Sequence, residues 1–319
     1  SYQTVSRVVN GSDHVSKITR QRVLRSIKEL DYRPNRAAQS LVTRRSFTIA
    51  LIAYGMNRHF GPSQMVANVQ SVARGLGYNV IIANIDDISL EHIRAAVDSV
   101  SGQLVDGIIM ITPVSGVRCE DLSALCQDTP LVMIDADLGS RTTSVVIDQR
   151  FGSQLVTQYL IDLGHRQFAE ISGPLNRFGA TARHESWIST LRAAGLRPGP
   201  SVEGDWTSAS GYAAARRLLD QGVPFTALVV GNDQMALGAL RALRERGLRV
   251  PEDVSVVGFD DIPESAYFEP PLTTVRQDFA MLGRQSVEYL ISLIDQPDTP
   301  VHQRVLSPQL VERLSARRI

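Results

Sequence analysis

The sequence has few of the groups that build enzymes and metal sites. Its 319 residues hold two cysteines, Cys119 and Cys126, with no CxxC and no neighbouring histidine pair. That scarcity excludes a disulfide framework and a cysteine zinc site, and it fits a reducing cytoplasm. The six histidines (His14, His59, His92, His165, His184, His302) are dispersed, without HExxH spacing. There is no GxGxxG or P-loop string to cradle a phosphate and no GxSxG elbow. Asp260 and Asp261 form the one tempting acid pair, but adjacent residues on a loop point in different directions. No cofactor, no metal and no catalysis are therefore expected. Apolar runs stay well short of the ~18 residues a membrane span needs, so no membrane partner is expected. Ser1–Asn10 also lacks the apolar core of a secretory leader.

Net charge is lacking too, with 33 Lys and Arg against 33 Asp and Glu, but the balance is uneven along the chain. Residues 1–46 carry ten basic residues against three acids, and the rest carry 23 against 30. A basic head on an acidic body points to a polyanionic partner for the head alone; a solvated basic face is the competing reading.

Val5, Val8 and Val9 fall at i, i+3, i+4 and predict a short helix over 2–9. Its other face carries Tyr2, Gln3, Ser6 and Arg7, side chains able to hydrogen-bond to base edges. Arg suits guanine O6/N7 and Gln suits adenine N6/N7. The turn Asn10-Gly11-Ser12-Asp13 ends that helix, and Ser16 reads as the N-cap of a second, with Val23, Leu24, Ile27 and Leu30 facing inward. The two form the back of a helix-turn-helix whose leading helix would precede Ser1. After Pro34, the segment Asn35–Leu41 is either a linker or a short helix formed only on DNA. In the second case Leu41 would be an apolar wedge for the minor groove.

From Phe47 onward, apolar runs alternate with helical stretches at the spacing of βα units. Thr48–Ala53, Asn79–Ala83, Gly107–Ile111, Leu131–Ile134 and Ser144–Ile147 read as strands of one sheet, and Phe168–Ile171, Ala227–Val230 and Val254–Val257 of another. Their unbroken apolar character predicts strands buried on both faces, hence parallel sheets. The fold class is α/β: two doubly wound parallel-sheet lobes, periplasmic-binding-protein-like, behind a partial helix-turn-helix head. Two such lobes leave a cleft at their strand ends. Asp135, Asn232 and Asp260 follow predicted strands, and Arg183 lies on a loop-to-helix segment. Each carboxylate accepts, Arg offers a fork of donors and Asn does both, while Trp206 and Phe279 offer flat apolar faces. The set suits a buried neutral polyol, although Asn232 and Asp260 taken singly read as helix caps, and a lone tryptophan as core.

The strings SYQTVSRVVN, HVS, YRPNRAAQSL, GPSQMVA, GHRQ, SGPL, EGDW, NDQMALGA, SVVGFDD and PPLTTVRQDF occur in order along nearly the whole chain. Together they resemble the LacI/GalR family of transcription regulators. The resemblance implies a sugar-responsive repressor that binds operator DNA as a homodimer and is released by a small sugar or glycoside. It implies DNA contacts at Tyr2, Gln3, Ser6, Arg7, Asn10, His14, Asn35, Ala38 and Leu41. It implies ligand contacts at Pro62, Met65, Asp135, Ile147, Arg183, Trp206, Asn232, Asp260, Gln277 and Phe279, and a dimer interface at Leu237, Leu240 and Phe268. The implied domains are a head over 1–34, a hinge over 35–46, one lobe from 47–147 with 278–306, and another from 148–277 with 307–319. No leucine heptads follow Leu314, which favours a dimer over a tetramer. Ile147 stands where the family pattern has an aromatic residue, and Arg58-His59-Phe60 carries an apparent extra residue. Both departures leave a β-galactoside and another hexose or glycoside open. Two alternatives share the lobes: a periplasmic-type sugar binder, and a sensor domain without DNA binding.

Overall fold

The computed structural model describes residues 2–9, 14–30, 45–55, 59–85, 89–111 and 119–319. They fall into two units, 1–47 and 48–319.

In the first unit, α1 (Tyr2–Val9) and α2 (Lys17–Glu29) pack on each other. Ser16 Oγ accepts from the Thr19 backbone N–H at 3.3 Å, which ties down one orphan donor of α2. Val8 is buried, and Val5, Val23 and Ile27 are half-buried. Leu24 and Leu30, expected to face inward, are 50% and 77% exposed. The apolar stripe of α2 is wider than the surface α1 covers. Gln3, Arg7 and His14 are exposed. Asn10, Asn35, Ala38, Leu41 and the side chains of Tyr2 and Ser6 lie outside the described residues.

The second unit holds two parallel sheets. The apolar runs form β1 (Thr48–Tyr54), β2 (Asn79–Ile85), β3 (Gly107–Ile111), β4 (Leu131–Ile134) and β5 (Ser144–Ile147). With β11 (Gln303–Leu306) they make a six-stranded sheet in the order β11-β5-β4-β3-β1-β2. Strand β1 shows why the run is unbroken: Ile49, Leu51 and Ala53 enter one core and Ala50 and Ile52 the other. The second sheet, in the order β7-β6-β8-β9, comprises β6 (Phe168–Ser172), β7 (Ser201–Glu203), β8 (Ala227–Val230) and β9 (Ser255–Val257). Beside it an antiparallel pair joins β10 (Thr274–Arg276) to β12 (Gln309–Val311).

Helix α3 (Phe60–Gly75) packs on the first sheet, with α4 (Leu90–Ser101) and α5 (Cys119–Leu125). Next, α6 (Gln149–Asp162), α7 (Phe178–Ala193), α8 (Ser208–Asp220) and α9 (Asp233–Glu245) serve the second sheet. Then α10 (Phe279–Asp295) returns to the first, against α3, before β11 and β12 divide the end of the chain between the two. The chain therefore passes between the sheets three times, and these connections hold the strand ends of both around one cavity.

The proposed interface residues separate. Leu237 is 44% exposed, whereas Leu240 is 7% exposed in the core beneath α9 and Phe268 is half-buried against that core. Residues three apart on a helix are offset in angle around its axis, and α9 docks on its own sheet through the Leu240 side. Leu240 is thus a core residue of its own subunit, while Tyr267, next to Phe268 in the chain, is 89% exposed.

Candidate functional site

A cavity of about 460 Å³ opens between the strand ends of the two sheets. Nine of the ten ligand residues expected from sequence line it: Pro62, Met65, Asp135, Arg183, Trp206, Asn232, Asp260, Gln277 and Phe279. Ile147 does not. Its side chain is 4% exposed and packs into the core of the first sheet, because an aliphatic side chain at that strand position gains more by burial there.

Asp135 directly follows β4 with φ +61° and Asp260 lies three residues beyond β9 with φ +114°, backbone conformations that side-chain-bearing residues rarely adopt. Asp260 caps no helix. Its Oδ1 accepts from Gln277 Nε2 at 2.6 Å, and Arg183 Nη2 lies 3.9 Å away. Arg183, on α7, donates through Nε to Gln149 Oε1 at 2.8 Å, and Gln149 Nε2 donates to Gln277 Oε1 at 2.8 Å. Arg183, Gln149, Gln277 and Asp260 therefore close a ring of polar contacts on the cavity floor. Arg183 Nη1 also reaches the Gly231 carbonyl at 2.5 Å, and the guanidinium lies 3.7 Å from the Phe259 ring centroid. A charged fork fixed at this many points is preorganised for hydroxyl groups.

Asn232 does both things its sequence position allowed. Its Oδ1 caps α9 by accepting from the Met235 N–H at 2.9 Å, and its Nδ2 donates to the Trp206 carbonyl at 3.2 Å while facing the cavity. Trp206 has φ +74° and lays its ring over Gly173. A Cβ at Gly173 would stand 2.1 Å from that ring, so only glycine leaves the indole its place on the wall. Asp135 has no hydrogen-bond partner among the described residues; its carboxylate faces the cavity with Arg183 as the nearby cation.

Burial pushes the Asp135 and Asp260 carboxyls up to about 6, against the pull of Arg183 on both. Both folded values exceed the ordinary 3.8, so their contribution to the stability of the ligand-free fold is fully present below that value. It is lost as pH rises through about 6. A ligand whose hydroxyls donate to the carboxylates works the other way, because it favours the ionised forms. Its affinity is expected to hold from pH 8 to 7 and then fall below about 6, by at most about tenfold per pH unit per carboxylate. Calorimetric titrations at pH 5, 6, 7 and 8 measure this, and a flat profile would remove the two carboxylates from the binding step.

Asp261 turns away from the cavity, bonding Arg276 and Arg313 at 2.6 Å each. The acid pair thus has no shared reactive centre. Among the described residues no group of three His, Cys, Asp or Glu side chains could hold a metal ion. The described helices include none long and apolar enough to cross a membrane. Sequence reasoning missed Tyr54, His59, Gln149, Arg177 and Asp205, which also line the cavity. Gln149 carried one faint signal, its place at the first helical position after a buried strand.

The family model described as bacterial regulatory proteins, lacI family, matches residues 1–35, and that of a periplasmic binding protein-like domain matches 157–316. The lactose operon repressor of Escherichia coli (strain K12) is 39% identical over 98% of this chain and 86% of its own. A solved lac repressor dimer bound to operator and the anti-inducer ONPF matches with a TM-score of 0.92 and 38% identity, over 99% of this chain and 96% of that one. A transcriptional regulator CelR–cellobiose complex matches with a TM-score of 0.77 and 34% identity, over 99% and 96%. With a regulatory head at one end and a binding cleft in the body, this chain belongs to the LacI family of bacterial regulatory proteins.

Proposed function

We propose that the protein is a sugar-responsive transcriptional repressor, not an enzyme: it binds an operator as a homodimer and is released by a small sugar or glycoside. The observation that carries the ligand class is the closed ring Arg183–Gln149–Gln277–Asp260, with the Asp135 carboxylate, unpartnered among the described residues, beside it and Trp206 and Phe279 as flat walls. Acceptors, a donor fork and aromatic faces in one cavity suit a neutral polyol, whose hydroxyls replace water in each bond. The regulatory head supports this reading over a transporter-feeding binder, which shares only the cleft, and it supports a cytoplasmic location. The two lobes are read as 47–147 with 278–306 and 148–277 with 307–319, the cavity lying between them.

An operator-binding titration against a panel of galactosides, glucosides and free hexoses tests the proposal. Release by one member is expected; tightening would make the ligand a corepressor, and indifference to all would remove the sugar reading. The ligand shifts the equilibrium only by its differential affinity for the two arrangements, typically ~1–3 kcal/mol of coupling.

Arg7, exposed on α1, is expected to read one base pair of the operator. Arg7→Ala should cost ~1–3 kcal/mol on the cognate site and relax specificity at that position. Equal weakening on every sequence would reduce Arg7 to a phosphate contact. For assembly, sedimentation at micromolar concentration should show a dimer, and Leu237→Glu, which places a charge on the exposed side of α9, should shift it toward monomer. A stable dimer in that variant would move the interface elsewhere.

A further inference from the structure

We propose that Tyr54 and Arg177 clasp the mouth of the cavity and so set the largest glycoside the site admits, an inference that rests on the sugar reading above. Met65, Asn232, Asp260, Gln277 and Phe279 are buried and form the floor, joined by half-buried Arg183 and Gln149 through the ring of contacts; Tyr54, His59 and Arg177, half-buried and outside that ring, form the rim with exposed Asp205 and Thr207. The rim is bridged from both sides. Tyr54 ends β1 in the first sheet, and Arg177 immediately precedes α7 beside the second. Arg177 Nη2 donates to the Tyr54 hydroxyl at 3.0 Å, and its guanidinium carbon lies 4.5 Å from the ring centroid. One cation therefore holds both the face and the hydroxyl of a residue on the opposite side of the cleft.

The two sides of the opening also interact through charge. The Asp205 carboxyl, on the second-sheet side, is held below its ordinary value first by hydrogen bonds from Thr207 and Ser210 and also by the charge of His59 across the cleft. Neither Tyr54 nor Arg177 contributes to the ring of contacts on the floor, so their pairing leaves the sugar-holding groups untouched. A substituent that leaves the cavity between the two sides must displace the clasp. A sugar with a small substituent fits beneath it.

The test uses the full chain, Tyr54→Phe, Arg177→Met and two probes, methyl β-D-galactoside and 4-methylumbelliferyl β-D-galactoside, with the matching glucosides alongside. Hydrogen exchange of the ligand-free proteins is read over residues 174–182. Tyr54→Phe should speed exchange there, across the cleft from the altered residue, and so should Arg177→Met. Affinity for the methyl glycoside should fall about three- to tenfold, the range for losing one partly exposed charge-assisted bond. The bulky glycoside should lose nothing or gain, so the ratio of the two affinities shifts in its favour. Unchanged exchange in Tyr54→Phe overturns the clasp whatever the ligands do. Faster exchange with an unchanged affinity ratio overturns its role as a size filter. Faster exchange with no binding of any glycoside overturns the sugar reading, and the size filter with it, and leaves the closure standing.

Discussion

An Arg183→Ala protein is expected to bind operator and to ignore sugar. Arg183 holds the floor of the cavity together through Gln149, the Gly231 carbonyl and the nearby Asp260, and it is the cation that partly offsets the buried Asp135 and Asp260 carboxylates. Alanine removes the donor fork and leaves two acids without their counter-charge, so a polyol loses both partners and preorganisation. No operator contact is proposed for Arg183. Removing one member of a buried charged set costs about 3 kcal/mol or more of stability. The operator measurement therefore belongs at low temperature on protein shown to be folded. The two carboxyls already sit at about 6, so the stability loss should shrink on acidification as they protonate. An Arg183→Ala protein that still releases operator at the wild-type sugar concentration would put the effector in another site.

The second large effect is on the fold. Gly238 lies in the middle of α9, where alanine normally gains up to about 1 kcal/mol over glycine. Here the sign should reverse. A Cβ at Gly238 would stand 1.9 Å from the Ser208 carbonyl oxygen and 2.6 Å from the Tyr212 nitrogen, both backbone atoms of α8. Backbone cannot rotate aside, so the two helices must part, and their separation opens the core holding Leu240, Leu243 and Met235. Gly238→Ala is expected to cost about 3 kcal/mol, at the upper end of overpacking effects. Urea unfolding measures it, and an unchanged or raised midpoint would mean that α8 and α9 are not in backbone contact. Because Asn232 caps α9 and holds the Trp206 carbonyl, sugar affinity should fall with stability.

The strands were legible because burial on both faces demands unbroken apolar runs, which few other environments tolerate. Asp135, Asn232 and Asp260 were legible because a polar residue just after such a run stands at a strand end, where open α/β sheets place their ligands. The three- and four-residue strands Ser201–Glu203, Thr274–Arg276, Gln303–Leu306 and Gln309–Val311 gave no comparable signal. Each carries exposed or half-buried positions instead of an unbroken buried apolar run, so pairing with neighbours, not local pattern, decides. Leu24, Leu30 and Leu240 show the same limit from the side of packing. Periodicity marks an apolar face, but whether it is covered, and by which chain, depends on what docks there.

By itself the sequence determined that there is a basic helical head, that two sets of buried parallel strands follow it, and that polar groups cluster at their ends. Those are properties of composition and local period. Only the tertiary structure decided that Arg183, Gln149, Gln277 and Asp260 form one ring, that Ile147 is turned into the core, and that Tyr54 meets Arg177 across the cleft. Each brings together or separates residues by the crossing of the chain between two sheets. A hydrogen bond between residues 123 positions apart leaves no mark on the local pattern around either.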